Sequence, residues 1–599
     1  RCEFHKDNCL MRASNTLYEL LENSIKEYKD NIAFSMFGGE NVTYAEVGLR
    51  VAIVQQMLLD AGLSAGDKVA ILSSNMPNWG VCYFAVTTAG MIAVPILPDF
   101  TEAELDMLIR HSEAKALFVS DKLFTKLSKE TVAMLDIVIR TKNLGIISQR
   151  TTGKGTRAVP RPDDLAVIIY TSGTMSRPKG VMLTHYNLAS NVNMMYGLFP
   201  IDENDSMLSV LPLSHTYECT VGMLYPFAVG GRVTYLEKPP TASILLPALQ
   251  SVRPTCLLIV PLIIEKIYRS QIYAKFTSNA FLRKVYGNDF LRRQIHRIVG
   301  RRLMKVFGGR LRFLGIGGAK LNPQVEQFLI EARMPYAIGY GLTETAPMVA
   351  GAVPAMPRKV GSTGLPMVGL QVRLDNINPE TRQGEIVINS PSMMRGYYKN
   401  EEATADAFTE DGWFRTGDLG YIDEDGFIFI KGRLKNMIVG PSGENIYPEE
   451  IESVLNSNAY VSESLVTQQD GHLVALIHFD KEAIEKLKDE LMEKWEITRE
   501  DWHRKVGEWN AKKEEIKQEI MRYVNSKVNK FSRITEVVEE DGGFEKTPTH
   551  KIRRFKYNGS NNAKTGEASP SATTQTPPAE EKGSESADSS SGAETRGDA

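Results

Sequence analysis

Helical and strand-like periodicities alternate from residue 17 onward, and no other feature of this sequence constrains the fold as strongly. Apolar residues recur at helical spacing over Leu17–Tyr28, and large apolar residues occupy every second position of Ile32–Met36. Thr43 and Glu46 form a capping-box sequence that opens a second helix, and Lys68–Leu72 is the next apolar strand. Alternating helices and strands are typical of layered α/β proteins, so we predict that fold class.

Composition sets the scale of the fold and excludes several classes of protein. The chain has 599 residues, 42% of them hydrophobic, and its 70 Lys and Arg almost balance its 73 Asp and Glu, for a net charge of −3. These values exclude a collagen, a disulfide scaffold and global disorder, and at about 150 residues per domain the length predicts more than one domain. Because there is no basic excess to neutralise phosphates, we expect no nucleic acid as partner.

The cysteines and the apolar runs bear on cellular location. Neither a disulfide ladder nor a CxxC metal pair can be drawn from the five scattered cysteines, Cys2, Cys9, Cys82, Cys219 and Cys256. No apolar run approaches the roughly 18 residues that cross a bilayer, and residues 1–12 lack the apolar core of a signal peptide. We therefore predict a reducing, cytoplasmic location, with an upstream targeting segment as an open alternative.

Shifts in composition divide the chain. Gly432 and Arg433 follow a strand-like run, and a new set of strands and helices begins near Pro448. We predict an N-terminal domain over residues 1–433 and a small α+β domain over 434–557 that includes a charged helical insertion at about 481–530. Residues 558–599 contain no large apolar side chain to offset the entropy of ordering, so we predict a disordered tail.

A basic stretch between residues 269 and 312 allows two interpretations. Its basic residues include Arg283, Lys284, Arg292, Arg293, Arg297, Arg301 and Arg302. A solvated helical face is the simpler interpretation, and a binding surface for CoA phosphates or for anionic lipid is the alternative. Peripheral contact with the inner face of a membrane therefore stays an open prediction.

The first stretch with chemical content is Tyr-Thr-Ser-Gly-Thr-Met-Ser-Arg-Pro-Lys-Gly at residues 170–180, directly after a buried strand. Glycines, hydroxyls and basic side chains are the groups that wrap a polyphosphate. The stretch is not a Walker A loop, since Lys179 lies between Pro178 and Gly180. On composition alone, a flexible surface loop is an equal alternative.

Five further stretches carry groups suited to binding a nucleotide. Each of them alone could equally be an ordinary turn or a solvent-exposed end without any binding role. His215 follows an apolar run, where an ordinary core or surface histidine is the commoner case. The run Gly317-Gly318-Ala319 follows a strand and allows close approach of the backbone. Glu344, in Tyr-Gly-Leu-Thr-Glu-Thr, is a carboxylate that suits Mg²⁺. Asp418, in Arg-Thr-Gly-Asp, suits ribose hydroxyls, and Lys551 closes the folded part of the chain.

The order of these stretches resembles the adenylate-forming superfamily of acyl- and aryl-CoA synthetases, peptide-synthetase adenylation domains and firefly luciferase. The likeness covers about residues 15–557 and rests on five motifs: the phosphate loop, Tyr-Gly-Leu-Thr-Glu-Thr, Thr-Gly-Asp, Gly-Arg-Leu-Lys and the terminal Pro-Thr-His-Lys. Residues 254–268 and 311–319 are most similar to the long-chain fatty acyl-CoA synthetase branch. The resemblance implies a large N-terminal domain of layered sheets and helices, with a small domain that swings between two half-reactions.

The resemblance also implies a nucleotide site. The β- and γ-phosphates of ATP would be held by Thr171, Ser172, Gly173, Thr174 and Lys179. Adenine would stack on Tyr340 against the backbone of Gly317, Gly318 and Ala319, with Gly341 in the same site. Thr343 would bind the α-phosphate, Glu344 would bind Mg²⁺ and Asp418 would bind the ribose. Arg433 would contact ribose and phosphate, and Lys435 would be the hinge residue.

Lys551 addresses an electrostatic problem. Two unit charges about 4 Å apart repel by roughly 4 kcal/mol at an effective dielectric of about 20, so a carboxylate needs a cation to approach the α-phosphate of ATP. The resemblance implies that the Lys551 ammonium contacts both groups and that acyl-AMP forms. Rotation of the small domain would then bring Gly443 to a CoA tunnel. His215 would be a gate or positioning residue rather than a general base, because a thiol of pKa about 8.5 needs little help.

We therefore predict an ATP- and Mg²⁺-dependent ligase that activates a medium- or long-chain fatty acid and transfers it to coenzyme A. Transfer to an acyl carrier protein is an alternative within the same chemistry. A luciferase-like oxygenase and a nucleotide-binding protein without turnover are alternatives from other classes. Three positions depart from the family pattern without removing a required group: Met175-Ser176 in the phosphate loop, His550 before Lys551, and Leu262 where relatives often carry Arg. No oligomeric state is predicted.

Overall fold

The computed structural model of this protein describes residues 13–171, 178–276, 279–440, 444–495, 502–549 and 551–557, without the side chains of residues 503 and 504. The helices are α1 (Leu17–Tyr28), α2 (Tyr44–Asp60), α3 (Pro77–Thr88), α4 (Glu102–Ser112), α5 (Asp121–Phe124), α6 (Lys129–Met134), α7 (His185–Leu198), α8 (Tyr225–Ala228), α9 (Ala242–Val252), α10 (Pro261–Ile267), α11 (Ala274–Phe276), α12 (Ala280–Gly287), α13 (Asp289–Val306), α14 (Pro323–Glu331), α15 (Glu401–Asp406), α16 (Pro448–Leu455), α17 (Lys481–Trp495) and α18 (Val506–Asn525). Two π-helices cover Tyr217–Leu224 and Tyr268–Tyr273.

The strands alternate with these helices along most of the chain. They are β1 (Ile32–Met36), β2 (Asn41–Thr43), β3 (Lys68–Leu72), β4 (Ile92–Pro95), β5 (Ala114–Val119), β6 (Ile137–Arg140), β7 (Ile146–Gln149), β8 (Leu165–Thr171), β9 (Lys179–Thr184), β10 (Ser206–Ser209), β11 (Arg232–Tyr235), β12 (Cys256–Ile259), β13 (Phe313–Ile316), β14 (Tyr336–Gly341), β15 (Met348–Ala352), β16 (Leu365–Pro366), β17 (Gln371–Asp375), β18 (Gly384–Asn389), β19 (Gly396–Tyr397), β20 (Phe414–Ile422), β21 (Ile428–Arg433), β22 (Ile438–Val439), β23 (Asn445–Ile446), β24 (Val461–Gln469), β25 (His472–Phe479) and β26 (Glu536–Glu539). The predicted α/β class is confirmed.

Local sequence signals account for the first elements. Helix α2 begins with the predicted capping box, in which the Glu46 backbone N–H donates to the Thr43 hydroxyl (3.2 Å) and the Thr43 N–H donates to the Glu46 carboxylate (2.7 Å). A side-chain cap of this kind contributes about 1 kcal/mol. The predicted strands β1 and β3 follow the apolar positions of the sequence.

Two large sheets form the body of the protein. One has nine strands in the order β16-β15-β14-β13-β12-β10-β11-β1-β2, and the other has eight in the order β19-β9-β8-β4-β3-β5-β6-β7. Every residue of α3 is buried, as expected for a helix packed on all sides in a layered core. The neighbouring strands β10, β12, β13 and β14 run parallel, so their carboxyl ends lie at one edge of the nine-stranded sheet. Ligands of open α/β sheets bind at such an edge.

A four-stranded antiparallel sheet has the order β17-β18-β20-β21, and the pairing of its last two strands joins two of the residues that the sequence singles out. Asp418 on β20 lies directly opposite Arg433 on β21. The predicted hinge residue Lys435 comes just after β21, in a 3₁₀ turn at Leu434–Asn436, and its side chain is exposed.

The chain after residue 444 forms a hydrophobic cluster of its own. Ile451, Val466 and Ile520 belong to it, as does Trp509. The sheet β24-β25-β26 and helices α16 to α18 surround this cluster. The indole ring of Trp502 lies 5.9 Å from that of Trp495 and 5.6 Å from that of Trp509. Trp509 and Ile520 of the charged 481–530 segment share the cluster with Ile451 and Val466, so the segment packs on the rest of the chain after residue 444. The domain boundary after residue 433 stays a prediction, and the predicted tail at 558–599 lies outside the described residues.

The basic stretch folds into the second π-helix and helices α11 to α13. Among the described helices, none combines the length and the apolar composition needed to cross a membrane. Of the cysteines within the described ranges, Cys82, Cys219 and Cys256 are buried free thiols.

Candidate active site

The carboxyl edge of the nine-stranded sheet gathers the residues that the sequence singles out. The segment after β10 carries His215, the turn after β13 carries Gly317-Gly318-Ala319, and β14 ends in Tyr340 and Gly341. A 3₁₀ turn at Thr343–Thr345 then presents Thr343 and Glu344. Sequence-distant stretches meet here because parallel strands place their carboxyl ends side by side.

Asp418 joins two other candidate residues. The Tyr340 hydroxyl donates to Asp418 Oδ2 (2.5 Å), and Arg433 Nε contacts Asp418 Oδ1 (2.8 Å). Arg433 Nη1 also donates to the carbonyl oxygen of Thr416 (2.9 Å), which fixes the plane of its guanidinium. The structure therefore brings together Tyr340, Asp418 and Arg433, from three different strands.

The Asp418 side chain is 6% exposed, and its protonation equilibrium reflects that burial. Burial raises the pKa of Asp418 above its ordinary value, while the Arg433 guanidinium and the Tyr340 hydrogen bond act against the rise. A carboxylate oxygen accepts more than one hydrogen bond, so both oxygens keep capacity for a ligand hydroxyl.

Glycine is required where β14 ends. A Cβ on Gly341 would lie 1.9 Å from the carbonyl oxygen of Pro347, closer than any side chain allows. The backbone therefore turns tightly into Thr343 and Glu344. There Glu344 Oε1 accepts a hydrogen bond from the Tyr397 hydroxyl (2.9 Å), and the Glu344 carbonyl oxygen accepts one from the Met394 N–H (2.7 Å).

Lys179 reaches the same tyrosine from the other large sheet. Its Nζ lies 4.6 Å from the centre of the Tyr397 ring, and Thr171 pairs with Lys179 across the β8-β9 hairpin. Thus Tyr397 links the predicted phosphate lysine to the predicted metal ligand Glu344. Ser172, Gly173 and Thr174, together with Met175 and Ser176, lie outside the described residues.

The glycine turn after β13 packs against Tyr217. A Cβ on Gly317 would lie 3.1 Å from Tyr217 Cζ, and Gly318 has a φ of +88°, which side chains rarely adopt. The tyrosine ring therefore approaches the backbone at this turn, and a larger residue at Gly317 would have to displace it. Ala319 follows directly and is exposed.

His215 lies half-buried at the start of the first π-helix. Its Nδ1 accepts a hydrogen bond from the Tyr217 N–H (3.1 Å). Burial, assisted by the positive charge of Lys551, lowers the pKa of His215 to about 4. The imidazole is therefore neutral at physiological pH.

Lys551 comes from the end of the folded part of the chain to this same group of residues. It lies in a short hairpin in which Lys546 bridges Ile552 and the Thr547 N–H donates to the Lys551 carbonyl oxygen (2.7 Å). Lys551 is exposed to solvent, but enough protein lies around its side chain to remove part of the water from the amine. Burial and the charge of Arg433 lower the pKa of Lys551, whereas Asp418 and Glu344 raise it. The amine is thus an electrostatic neighbour of three other candidate residues. Gly443, the predicted tunnel residue, and His550 lie outside the described residues.

The structure adds residues that the sequence motifs do not single out. The sequence around Tyr397 offers only a preceding glycine, and that pattern is too common to predict a functional residue. Asn75 holds the segment leading to His215 through Ser209 Oγ (3.0 Å), the Leu211 carbonyl oxygen (2.6 Å) and the Leu213 N–H (2.9 Å). No local pattern predicts either contact, because the partners are far apart in the chain.

The chemistry of the donor set fits Mg²⁺. The described residues contain no group of three or more His, Cys, Asp or Glu side chains arranged around a metal. One carboxylate with an uncommitted oxygen is nevertheless what a magnesium ion uses when substrate phosphates supply its other ligands. Glu344 meets that description, since the hydrogen bond from Tyr397 engages only Oε1.

Polar groups at this carboxyl edge, with the Lys551 amine from the end of the folded chain beside them, are the arrangement expected of an adenylate-forming enzyme. The AMP-binding enzyme family model matches residues 21–398, more than half of the chain. The chain belongs to this family.

Curated relatives and solved structures agree with that assignment. The chain is 30% identical to a long-chain-fatty-acid–CoA ligase of Mycobacterium bovis, over 74% of this chain and 78% of the relative. It is 31% identical to an oxalate–CoA ligase of Arabidopsis thaliana, over 76% of this chain and 85% of the relative. An o-succinylbenzoate–CoA synthetase of Bacillus subtilis, solved with its acyl-adenylate intermediate, has the same fold at a TM-score of 0.70 and 22% identity, over 92% and 99% of the two chains. An adenylate-forming CoA ligase activity is supported, while the acids named for these relatives differ.

Proposed function

We propose that this protein activates a medium- or long-chain fatty acid with ATP and transfers the acyl group to coenzyme A, releasing pyrophosphate and AMP. The observation that carries the proposal is the position of Lys551, whose amine interacts electrostatically with Asp418, Glu344 and Arg433 although it comes from the end of the folded chain. A cation in that position offsets the repulsion between two anionic reactants.

The first half-reaction forms acyl-AMP. A carboxylate oxygen of the acid attacks the α-phosphorus of ATP, the bond from that phosphorus to the bridging oxygen breaks, and pyrophosphate leaves with the electron pair. The Lys551 ammonium contacts the carboxylate and the α-phosphate, so the charge that gathers at the reacting centre is compensated. Thr343 donates a hydrogen bond to the α-phosphate from the 3₁₀ turn beside Glu344.

The nucleotide is held by the residues around Asp418. Asp418 accepts hydrogen bonds from the ribose hydroxyls, Arg433 assists at ribose and phosphate, and Tyr340 stacks on adenine beside the Gly317 turn. This assignment is supported by the direct contacts among Tyr340, Asp418 and Arg433. Glu344 would hold Mg²⁺, and Lys179 with Thr171 would contact the terminal phosphates. The metal, when bound, neutralises charge on the leaving pyrophosphate.

The second half-reaction transfers the acyl group. The thiol sulfur of coenzyme A attacks the acyl carbon, the bond to the AMP oxygen breaks, and the thiol proton is released. His215 positions the reactants as a neutral side chain, in keeping with its pKa of about 4. Rotation of the small lobe about Lys435 would move Lys551 out and bring the region of Gly443 to the thiol.

A fatty acid as substrate is supported by the named relatives rather than by the nucleotide site. A relative that is 30% identical and another at 28% are named as long-chain-fatty-acid–CoA ligases, and two more at 27–28% are named as long chain acyl-CoA synthetases. The oxalate ligase at 31% is the strongest argument for a different acid.

A screen of carboxylic acids tests this proposal. AMP release would be measured with acetate, oxalate, benzoate, octanoate, palmitate and oleate, each with free coenzyme A, with acyl carrier protein or with neither. We expect the highest kcat/KM for octanoate or longer acids with coenzyme A. A preference for oxalate or benzoate would contradict the fatty acid, and a preference for carrier protein would contradict coenzyme A as acceptor. Product that requires oxygen, or no acid-dependent turnover at all, would contradict the ligase.

Peripheral attachment to the inner face of a membrane is a further part of the proposal, and α13 supports it. The outward side of this helix combines exposed apolar side chains with basic ones. The apolar ones are Phe290 (68% exposed), Ile298 (51%) and Leu291, and the basic ones are Arg297, Arg301, Arg302 and Lys305. Phe281 on α12 is 74% exposed, and Asp289 is the one acidic residue between 280 and 306. Apolar and basic groups on one face suit the headgroup region of an anionic bilayer, where fatty acids partition.

A further inference from the structure

A salt bridge joins the neighbourhood of Lys551 to a helix of the large body. Arg553 Nη2 contacts Glu104 Oε1 at 2.9 Å, across 449 positions of sequence. Each of the two side chains is 21% exposed, so the pair is mostly shielded from water. Shielding strengthens an ion pair relative to one at the open surface.

Arg553 is held firmly by the hairpin that carries Lys551. Its N–H donates to the Glu545 carbonyl oxygen (2.9 Å), and its Nε donates to the Lys546 carbonyl oxygen (3.2 Å). Lys551 and Arg553 lie two positions apart, on either side of Ile552, which forms an isolated antiparallel bridge with Lys546. A contact that fixes the Arg553 guanidinium therefore restricts where the Lys551 amine can lie.

Glu104 is equally well fixed on its own side. It is the third residue of α4 and completes a capping box, in which its Oε2 accepts from the Thr101 N–H (2.9 Å) and its N–H donates to the Thr101 hydroxyl (3.3 Å). The cap uses Oε2 and leaves Oε1 for Arg553. Burial raises the pKa of Glu104, but the hydrogen bonds from Thr101 and Arg553 outweigh it and lower the pKa below its usual range. The carboxylate is therefore charged at neutral pH.

We propose that Glu104 is a positioning residue for Lys551, and that the Glu104–Arg553 ion pair is the latch that holds the lysine over the nucleotide site during the first half-reaction. The inference rests on the proposed function, because only the adenylation step needs Lys551 at the phosphate. A single ion pair suits a reversible latch, because it orients the hairpin while it is formed. When the small lobe rotates, the ion pair breaks and water hydrates both the Glu104 carboxylate and the Arg553 guanidinium.

Glu104→Gln is the variant that isolates the latch. Glutamine at this position keeps the capping box, since its amide oxygen still accepts from the Thr101 N–H. It removes the negative charge that Arg553 meets on α4 and leaves the Glu545 carboxylate of the hairpin, 3.5 Å from Arg553 Nε, in place. Glu102→Gln is the matched control, because Glu102 lies in the same first turn, carries the same charge and is exposed. Both variants weaken the favourable charge at the helix N-terminus equally, so that effect cancels.

The half-reactions are measured separately. Acid-dependent exchange between ATP and pyrophosphate reports the first, and thioester formation from supplied acyl-AMP and coenzyme A reports the second. We expect Glu104→Gln to slow the first by about tenfold, since small misplacements at a reacting centre cost up to about 100-fold, and to leave the second unchanged. Glu102→Gln should match the wild type in both.

A double-mutant cycle tests whether the two residues act as one. Arg553→Gln should slow the first half-reaction at least as much as Glu104→Gln does, because it also removes the bond from Nε to the Lys546 carbonyl oxygen, and the double variant should be no slower than Arg553→Gln alone. Equal loss in both half-reactions, effects that multiply in the double variant, or a similar loss in Glu102→Gln would each overturn the latch.

Hydrogen exchange separates failure of the latch from failure of the proposed function. In protein without substrates, we expect faster exchange at the amides of Thr547 and Arg553 in Glu104→Gln than in Glu102→Gln. Unchanged protection there would overturn the latch even in an active enzyme. If the wild type shows no acid-dependent exchange of pyrophosphate, the proposed function fails, while the protection of the hairpin still decides whether Glu104 holds it.

Discussion

At the scale of single residues, Tyr397 is the side chain that connects the candidate metal ligand to the candidate phosphate lysine. Its hydroxyl donates to Glu344, and its ring faces the Lys179 ammonium. Burial raises the pKa of Tyr397 well above its usual value, with the charge of Glu344 adding to the effect, so the hydroxyl stays protonated and remains a donor. A ligand carboxylate held by such a donor keeps its orientation before the metal arrives.

Tyr397→Phe removes this donor and keeps the ring beneath Lys179. We expect the Mg²⁺ concentration needed for half-maximal ATP–pyrophosphate exchange to rise by about tenfold, because partners that orient a ligand typically contribute 10–100-fold to metal affinity. Titration of Mg²⁺ at saturating ATP and acid measures the change.

Tyr398→Phe is the matched control for that titration. The neighbouring Tyr398 hydroxyl donates to Glu113 (2.8 Å), a carboxylate outside the candidate site that is also bound by Lys399 and Lys68. We expect the Mg²⁺ requirement of this variant to equal that of the wild type. Equal requirements in both variants would contradict a role for Tyr397 in orienting Glu344.

At the scale of elements, α13 has two faces with different roles. Its inner face carries His296, whose ring contacts Glu331 (2.7 Å) and the Tyr286 hydroxyl (2.7 Å), and Arg292, which also contacts Glu331 (2.8 Å). These buried contacts fix the helix on α14. Its outer face can therefore present Phe290 and the arginines to a membrane without unfolding the helix.

Vesicle sedimentation tests the outer face. Three charge reversals, Arg301→Glu, Arg302→Glu and Lys305→Glu, should weaken binding to phosphatidylcholine vesicles that contain phosphatidylglycerol by about tenfold or more, since each basic residue near an anionic surface contributes about 1 kcal/mol. Phe281→Ser with Phe290→Ser should weaken binding to the same vesicles and leave its salt dependence intact.

The matched control reverses three exposed lysines elsewhere, Lys122→Glu, Lys129→Glu and Lys154→Glu, and changes the net charge by the same amount. We expect it to bind vesicles as the wild type does. If vesicle binding falls equally in both triple variants, net charge alone accounts for the loss and the proposal for α13 is wrong. Unchanged binding in both variants would also contradict a membrane-facing α13.

At the scale of the whole molecule, the placement of Lys551 depends on contacts between the two large sheets with their helices and the chain after residue 444. Besides the Glu104–Arg553 pair, Arg269 Nη1 donates to the carbonyl oxygens of Asn456 (2.9 Å) and Val461 (2.8 Å). These contacts join the π-helix at Tyr268–Tyr273 to the lobe built on β24 and β25. The lysine thus reaches the nucleotide site through polar contacts between residues that are far apart in sequence.

Lys551→Ala tests the division of labour between the half-reactions. We expect acid-dependent ATP–pyrophosphate exchange to fall by at least about 100-fold, because the cation that compensates the reacting anions is lost. Thioester formation from supplied acyl-AMP should stay close to the wild-type rate, since that step does not need the amine. Lys556→Ala, an exposed lysine five positions away, is the control and should leave both steps unchanged. Equal losses in both half-reactions of Lys551→Ala would contradict the assignment.

Much of the fold and site can be predicted from local sequence. The capping box at Thr43, the strands at 32–36 and 68–72, and the start of α16 at Pro448 depend on neighbours within a few residues. Tyr397, Asn75 and Glu104 could not be predicted, because their partners lie dozens to hundreds of positions away and each residue type is common. The roles of the site residues remain predictions that the variants above address.

What the sequence by itself determined is the order of chemical groups along the chain and the period of its apolar residues, which fix each element and name the family. Only the tertiary structure decided which groups meet. Parallel strands align Tyr340 and Glu344 with the Gly317 turn, the β20-β21 pairing sets Asp418 against Arg433, and a shielded ion pair brings the Lys551 hairpin to them. The physical reason is that periodicity is a local property, whereas electrostatic neighbours are chosen by packing across the whole chain.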